Sequence, residues 1–259
     1  MSTPPSAATF LALLRAEGVK VQEHGDWRTH NRNHKGPWGP VHGVMIHHTV
    51  TKGTANTVAI CRDGHTTLPG PLCHGVIAKD GIVHLVGYGR TNHAGLGDDD
   101  VLRAVIAEEK PPTANDANTD GNRHFYGFEC ENLGDGHDPW PPEQTEAIVR
   151  AGAALCRHHG WGARSLLRHL DWQPGKVDPR GPGMNWGDIL ARVDERLKHG
   201  ASWSPGGTNT YTVARGDTLW SIAASKLGDG NRWREIADLN DLKDADAITP
   251  GQKLTLPKK

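Results

Sequence analysis

Two adjacent histidines lie inside an apolar run, GVMIHHTV, at residues 43 to 50. The valine, isoleucine and threonine of this run predict a buried strand. Neighbouring side chains of a strand point to opposite faces, so His47 and His48 cannot both face one site. One of them is a candidate metal ligand, and a hydrogen-bonded core histidine is the alternative for either.

A second segment, RHLDWQPGKVDPRGPG at residues 168 to 183, offers two more metal-binding side chains. His169 ends an apolar strand, and Asp178 follows a Pro-Gly turn that can fold the chain back. With His47 they make a two-histidine, one-carboxylate set. Three protein ligands and a vacant fourth position are typical of catalytic zinc, which lowers the pKa of bound water to about 7 and suits amide hydrolysis. The alternative is that His169 and Asp178 are loop residues around a turn.

Two charged side chains could complete such a site. In YGFECEN, strand alternation places Glu129 and Glu131 on the face opposite Phe128 and Cys130. A carboxylate near the reacting water can take its proton and pass it to the leaving amine. Lys176 could stabilise the tetrahedral oxyanion. Taken singly, each residue can equally be a solvated surface charge.

The elements that must position these residues alternate along the chain. Strands are predicted at 41–50, in the hairpin HGVIAKDGIVHLVG that turns at Lys79-Asp80-Gly81, in FYGFECEN and in RSLLRHL. Helices are predicted from about Pro142 to near Gly160 and in WGDILARVDERLKH. The alternation predicts an α/β fold, with a mixed central sheet flanked by helices. Residues 97–122 are predicted to form a long surface loop beside the site.

A Gly/Ser/Thr/Pro stretch, HGASWSPGGTNT at residues 199–210, predicts a flexible linker. It separates a large domain at 40–198 from a small one at 211–257. Residues 1–39 are predicted to be an amino-terminal helix and extension that pack on the large domain. The stretch AATFLALLRAEG reads as an amphipathic helix rather than a signal peptide or a membrane span. We therefore expect synthesis in the cytoplasm and no membrane insertion.

Composition narrows the function classes. A net charge of -1 gives no indication of nucleic-acid binding or of a basic membrane-facing patch. Sixteen histidines favour metal chemistry, and nine tryptophans could stack on sugar rings or fill the core. The four cysteines form no CxxC pair, so a structural zinc knuckle is not expected, while one disulfide such as Cys61–Cys73 stays open.

Five motifs, GVMIHHT, CHGVIAKDGIVHLV, TNHAG, YGFECEN and RHLDWQPGKVDP, follow one another as in the zinc N-acetylmuramoyl-L-alanine amidases related to peptidoglycan recognition proteins. The resemblance covers about residues 40 to 195. It implies a Zn²⁺ cofactor and the following site residues: His47, His169 and Asp178 as ligands, Glu129 as general base and Lys176 on the oxyanion. The first histidine of HHT matches the family ligand, which leaves His48 to packing.

The same resemblance implies that His74 and His93 line the substrate groove, with a structural hydrogen-bonding role as the alternative. The sequence departs from the family pattern in three places. Asp178 stands where many members carry cysteine, NHAG lacks the tryptophan usual before its histidine, and residues 97–122 match no family pattern.

Residues 211–257 resemble a LysM domain, a βααβ fold that binds glycans containing N-acetylglucosamine. Asp217 or Thr218 can cap a helix that carries Leu219, Ile222 and Ala223 on one face. A second helix and a final strand follow. The resemblance implies a glycan groove lined by Gly216, Asp217, Thr218, Leu219, Asn240 and Leu242. The alternative is that most of these residues simply build the fold.

Together the two resemblances predict a monomeric zinc amidase that cuts between N-acetylmuramic acid and the L-alanine of the stem peptide, with peptidoglycan as partner. An enzyme without a signal peptide, joined to a wall-binding domain, resembles a phage endolysin, which implies action on the cell wall after release from the cytoplasm. A bacterial autolysin and a non-catalytic peptidoglycan-binding protein are the alternatives. A histidine-rich metal buffer would leave the LysM domain unexplained.

Overall fold

The computed structural model describes residues 2–203, 209–240 and 242–257, and the chain divides into two units. In the larger unit, residues 1–203, apolar runs separated by glycine and proline form the strands and helices. Its strands are β1 Val21–Glu23, β2 Gly43–His48, β3 Gly64–His65, β4 Leu68–Pro69, β5 Gly75–Ile77, β6 Val83–Leu85, β7 Leu96–Gly97, β8 Thr119–Asp120, β9 Phe125–Cys130 and β10 Leu166–Arg168. Its α-helices are α1 Ala7–Ala16, α2 Thr54–Asp63, α3 Asp99–Ile106, α4 Gly121–His124, α5 Pro142–His159, α6 His169–Trp172 and α7 Trp186–Leu197.

A six-stranded sheet organises this unit, in the order β1-β6-β5-β9-β2-β10. Its pairs are parallel except for the β5–β6 hairpin, which turns at Lys79-Asp80-Gly81 as predicted. Gly81 lies there at a φ of 79°, which favours glycine. The predicted α/β class with a mixed central sheet is confirmed.

The two faces of β2 enter two different cores, as its alternation predicts. Val44 and Ile46 face a core shared with α1, α5 and α7. Met45 faces a smaller core that contains Trp172 and residues of α3. The sheet is therefore covered by helices on both faces, which leaves its strand ends as the place where polar side chains can gather.

The amino-terminal helix packs on the larger unit through charge as well as apolar contact. Phe10 and Leu14 of α1 are fully buried in the main core. Glu17, which follows the helix, accepts hydrogen bonds from Arg157 and Arg196, at 3.1 and 3.0 Å. The buried ion pair between Glu17 and Arg196 connects the end of α1 with α7, and the pair between Glu17 and Arg157 connects it with α5.

The irregular stretch of exposed or half-buried residues is limited to 107–118, so residues 97–122 are only in part the long surface loop that the sequence predicted. They contain the two-turn helix α3, which begins after Asp98 and buries Val101 and Val105. The Asp98 carboxylate caps α3 at Asp100 N, and its second oxygen accepts the backbone N–H of Asn115. One buried carboxylate thus holds both ends of the segment together, which explains its fixed path.

The second unit, residues 204–259, has the predicted βααβ order: β11 Asn209–Thr212, α8 Leu219–Leu227, α9 Trp233–Leu239 and β12 Lys253–Leu256. The two strands pair antiparallel, and the helices close a separate apolar core. Of the two residues predicted to cap α8, Thr218 is the N-cap, because its hydroxyl accepts a hydrogen bond from Ser221 N at 3.1 Å.

The linker predicted at 199–210 lies partly on residues 204–208, which are outside the described residues. On one side of these, the His199 carbonyl accepts a hydrogen bond from Arg157, and the ring of Trp203 stacks on His199. On the other side, residues 209 and 210 belong to β11. Residues 199–203 therefore make contacts within the larger unit, and residues 209–210 pair within the smaller one.

The four cysteines are buried and free, so the disulfide Cys61–Cys73 that the sequence left open is not formed. None of the helices described here has the length and apolar character needed to cross a membrane.

Candidate functional site

Three neighbouring parallel strands bring the predicted site residues to one edge of the sheet. β2 lies between β9 and β10, and His47 is directly opposite Glu129 in the β2–β9 pairing. Arg168 is opposite Ile46, so His169, the next residue and the first of α6, follows beside His47. The carboxyl ends of parallel strands meet at the same edge, and this is where ligands bind in such sheets.

The three predicted ligands converge on one point. The Nδ1 atoms of His47 and His169 are 3.0 Å apart. Oδ2 of Asp178 is 3.3 Å from the first and 3.1 Å from the second. In the part of the chain that the structure describes, this is the group of three or more His, Cys, Asp or Glu residues whose ligand atoms lie close enough to hold one metal ion.

This donor set fits zinc. Nitrogen and oxygen ligands at about 2.0–2.2 Å from a tetrahedral zinc are about 3.3–3.6 Å from one another, and the distances above are only slightly shorter. Burial, and secondly the neighbouring His169, lowers the pKa of His47 to about 4, which keeps its ring neutral. Burial opposes ionisation of Asp178, but its hydrogen bond to His169 and the adjacent His47 hold its pKa well below the usual range. Neutral imidazoles and an anionic carboxylate are the forms that zinc binds.

The turn after α6 brings Asp178 back to His169, as the sequence predicted. Lys176 N donates to the Gln173 carbonyl, and Gly175 takes a φ of 83°. Leu170 N then donates to the Asp178 carbonyl at 2.8 Å. The Lys176 side chain is exposed on this turn and lines the same cleft as the ligands.

Glu129 lies beside the ligand set without belonging to it. Its Oε1 is 3.9 Å from His47 Nδ1, and its Oε2 is buried without a hydrogen-bond partner among the described residues. Burial, and secondly the negative charge of Asp178, raises the pKa of Glu129 to about 8, while Lys176 acts in the opposite direction. A carboxyl group in this environment can hold a proton near neutral pH. Glu131, on the same face, instead accepts hydrogen bonds from Gly53 N and Thr54 at the start of α2.

Of the two histidines predicted to line the groove, His93 lines the cleft and His74 does not. His74 is fully buried, with Nε2 bonded to the Gly89 carbonyl and Nδ1 accepting from Gly127 N. Both ring nitrogens are used by the backbone, so the prediction that His74 lines the substrate groove is corrected to a structural role. His93 does line the cleft, but its ring nitrogens bond to His47 Nε2 and to the Phe125 carbonyl.

The cleft above the ligands has a volume of about 360 Å³ and an apolar rim. Val50, Leu68 and Val177 line it and are 66, 40 and 48% exposed. Val50 has a φ of 52°, a left-handed backbone that costs a β-branched residue about 1–3 kcal/mol. The chain thus holds an apolar side chain at the mouth of the cleft. His48, assigned to packing, is largely buried but also lines this cleft.

Two supporting residues escaped the sequence reasoning. The Asn122 side chain accepts the backbone N–H groups of His93 and Ala94, both at 2.8 Å. A Cβ on Gly127 would lie 2.4 Å from the His93 ring, so the ring packs directly on the backbone of β9. An isolated glycine inside a strand is a signal of such close approach, whereas nothing in the sequence marks Asn122.

In the second unit, most residues assigned to the glycan groove build the fold. Asp217 accepts hydrogen bonds from Tyr211 and from Ala214 N, and Leu219 lies in the core. The Asn240 side chain bonds to both backbone groups of Thr255. Gly216 and Thr218 are exposed, and Leu242 packs against the core. The sequence reasoning missed Trp220, whose indole lies over Gly230 and is 57% exposed.

The sequence profile described as N-acetylmuramoyl-L-alanine amidase matches residues 37–181. The chain belongs to this amidase family. The LysM profile matches residues 211–257, so the amidase chain also carries a LysM domain. Both resemblances inferred from the motifs are confirmed.

Similar proteins agree with the family at moderate identity. The amidase chain is 26% identical over 175 residues to N-acetylmuramoyl-L-alanine amidase XlyB of Bacillus subtilis, covering 64% of this chain and 53% of XlyB. It is 28% identical over 163 residues to XlyA of the same organism, covering 62% and 49%. It therefore spans about half the length of these relatives. The solved catalytic domain of XlyA is 18% identical, with a TM-score of 0.45, and the match covers 68% of this chain and 99% of that domain.

The ligand set leads to a direct prediction. In the amidase, His47→Ala and Asp178→Ala should each lose bound zinc, because two remaining ligands rarely retain a catalytic metal. Zinc content after dialysis, measured by inductively coupled plasma mass spectrometry, checks this. His48→Ala is the matched control in the same strand and should keep its zinc. Full zinc occupancy in the His47 variant would contradict the assignment.

Proposed function

We propose that this chain is a zinc-dependent peptidoglycan hydrolase that cleaves the amide bond between N-acetylmuramic acid and the L-alanine of the stem peptide. The observation that carries the proposal is the convergence of His47, His169 and Asp178 on the floor of an open cleft, beside Glu129. Membership of the amidase family and the LysM domain support the same substrate.

His47 Nδ1, His169 Nδ1 and the Asp178 carboxylate would hold the metal, which leaves a position open toward the cleft. When bound, zinc supplies Lewis acidity toward the amide carbonyl and lowers the pKa of the hydrolytic water. The backbone that carries the three side chains is held by hydrogen bonds in β2, at the start of α6 and in the turn after it.

Glu129 would act as general base and then as general acid. It takes a proton from the water that attacks the carbonyl carbon, and it returns that proton to the nitrogen as the carbon–nitrogen bond breaks. The products are a carboxyl group on the muramic acid lactyl group and a free amine on L-alanine. The position of Glu129 suits this double role, since its Oε1 lies 3.9 Å from His47 Nδ1 and the side chain lines the same cleft as the ligands.

Lys176 would stabilise the negative charge that develops on the carbonyl oxygen. Its side chain lines the same cleft as Glu129 and the ligands, and it is a cation on an exposed turn. The apolar rim formed by Val50, Leu68 and Val177 would pack against the substrate around the scissile bond.

The LysM domain would bind the glycan strands and keep the hydrolase at the wall. The exposed residues Gly216 and Thr218 remain proposed contacts, and Leu242 lies near the surface of the same unit. We add Trp220, whose exposed indole offers a flat apolar face for a sugar ring. A wall anchor favours a lytic role, as in an endolysin or an autolysin, over recycling of soluble muropeptides, which needs no anchor.

The reaction itself is tested by mass spectrometry of purified sacculi after digestion. We expect stem peptides with a free amino-terminal L-alanine and glycan strands with unsubstituted lactyl groups. Sacculi that bind the protein but release neither product would support the alternative, a peptidoglycan-binding protein without catalysis. Release of disaccharide units would indicate glycosidase chemistry instead.

The roles of Glu129 and Lys176 can be separated from metal binding. Glu129→Gln should keep zinc and lose about 10²–10⁴-fold in turnover, because an amide cannot accept the water proton. Lys176→Met should also keep zinc and lose about 10²–10³-fold, the usual cost of one oxyanion donor. Both are measured as initial rates on defined muropeptides, with zinc content determined on the same samples. A variant that cleaves at the wild-type rate would remove that residue from the mechanism.

The division of labour between the domains is tested by deleting residues 205–259. Cleavage of small soluble muropeptides should be almost unchanged, while lysis of intact sacculi should fall most at low enzyme concentration, because the effective concentration at the wall is lost. Trp220→Ala in the full chain should weaken sacculus binding without altering muropeptide cleavage. Equal loss on both substrates after the deletion would mean that the LysM domain belongs to the catalytic fold.

A further inference from the structure

We propose that His93 is a positioning residue that fixes the tautomer of His47, so that the nitrogen facing the metal position is unprotonated. The inference rests on the proposed function, and it assigns His93 a task different from contact with the substrate. It follows from the order of hydrogen-bonding groups along one short chain of atoms.

The series of hydrogen bonds begins at the Phe125 carbonyl, which can act only as an acceptor. Nε2 of His93 is 3.1 Å from the Phe125 carbonyl oxygen, and a carbonyl oxygen can only accept a hydrogen bond. His93 therefore carries its proton on Nε2. A second proton on Nδ1 would make the ring a buried cation with only a carbonyl and an imidazole as partners, which is costly.

The hydrogen bond between His93 and His47 then determines which nitrogen of His47 carries the proton. Nδ1 of His93 is 3.0 Å from Nε2 of His47, and as an unprotonated nitrogen it accepts. His47 Nε2 must then donate, so the proton of the neutral His47 ring is on Nε2. Its Nδ1 lone pair is left directed at His169 Nδ1 and Asp178 Oδ2. A zinc ligand needs this free lone pair, and outer hydrogen bonds of this kind orient ligating histidines.

Two separate contacts hold His93 in its position. Its backbone N–H is held by the Asn122 side chain, and its ring rests on Gly127, where any Cβ would overlap it. The two rings of His93 and His47 stand nearly perpendicular, at 88°, with centroids 5.1 Å apart. With both nitrogens occupied and the ring largely buried, His93 has no polar atom left for a substrate.

Two variants of His93 test the proposal against loss of packing. His93→Phe keeps a ring but removes the acceptor, so His47 can place its proton on Nδ1 toward Asp178, and zinc affinity should fall about 10–100-fold. His93→Asn places an amide oxygen near the former Nδ1 and should recover much of that affinity. Zinc affinity is measured by competition with a chromophoric chelator, after circular dichroism has shown a native fold.

A direct readout of the tautomer needs no activity. Long-range ¹⁵N–¹H correlation spectra of the zinc-free protein should show His47 protonated on Nε2 in the wild type and mixed in His93→Phe. Gly127→Ala, which keeps all histidines but displaces the His93 ring, should shift both readouts in the same direction. His84→Phe is the matched control, since His84 is similarly buried and bonds another histidine, His24, away from the cleft.

Wild-type zinc affinity in His93→Phe, or a His47 ring that stays protonated on Nε2 without His93, would overturn the proposal. A variant of His93 that fails to fold leaves Gly127→Ala and the wild-type spectrum to decide. These outcomes are independent of the reaction: a protein that binds zinc as described but cleaves no peptidoglycan would contradict the proposed function and leave the role of His93 intact.

Discussion

The parallel pairing of β2 with β9 on one side and β10 on the other is the constraint on which the site depends. It places His47 opposite Glu129 and brings His169 in beside them, all at the carboxyl edge of the sheet. A slip of one residue in either pairing would turn one of these side chains to the opposite face. Val44 and Ile46 pack against α5 and hold the register of β2. The packing of the core and the geometry of the site therefore depend on the same strand register.

Around this edge, burial and hydrogen bonds shift the pKa values of three ionisable side chains. Burial keeps His47 neutral and raises the pKa of Glu129, whereas hydrogen bonding to His169 keeps Asp178 ionised. Residues remote in sequence support the same edge, because Asn122 accepts the backbone N–H of His93 and the ring of His93 packs on Gly127 of β9. Two imidazoles and one carboxylate that converge at a cleft, with a second carboxyl group beside them, suit metal-assisted hydrolysis.

Much of this was predictable, and the failures have physical causes. Strand alternation showed that only one of His47 and His48 could face a site, and the Pro-Gly turn predicted that Asp178 returns toward His169, because both are local properties. The choice of His47 and the complete ligand set came from the resemblance to the amidase family. Helix α3 was missed although Asp98 and two further acidic residues precede its apolar positions, a cap signal that the surrounding polar residues obscured. His74 was misplaced because its burial depends on α1, whose Phe10 packs near its ring from far away in the sequence. In the LysM domain, local spacing could not separate residues that bind glycan from those, such as Asn240, that join helix to strand.

We propose that the sheet edge at β9, β2 and β10, with the turn after α6, assembles an open, three-ligand metal site. A crystal structure of the zinc-loaded protein, with anomalous data collected at the zinc absorption edge, is the decisive test. We expect one strong anomalous peak bonded, at about 2.0–2.2 Å, to Nδ1 of His47, Nδ1 of His169 and the carboxylate of Asp178, with the remaining position facing the cleft. A peak elsewhere, coordination through Nε2 of His47, or a fourth protein ligand that closes the shell would contradict it.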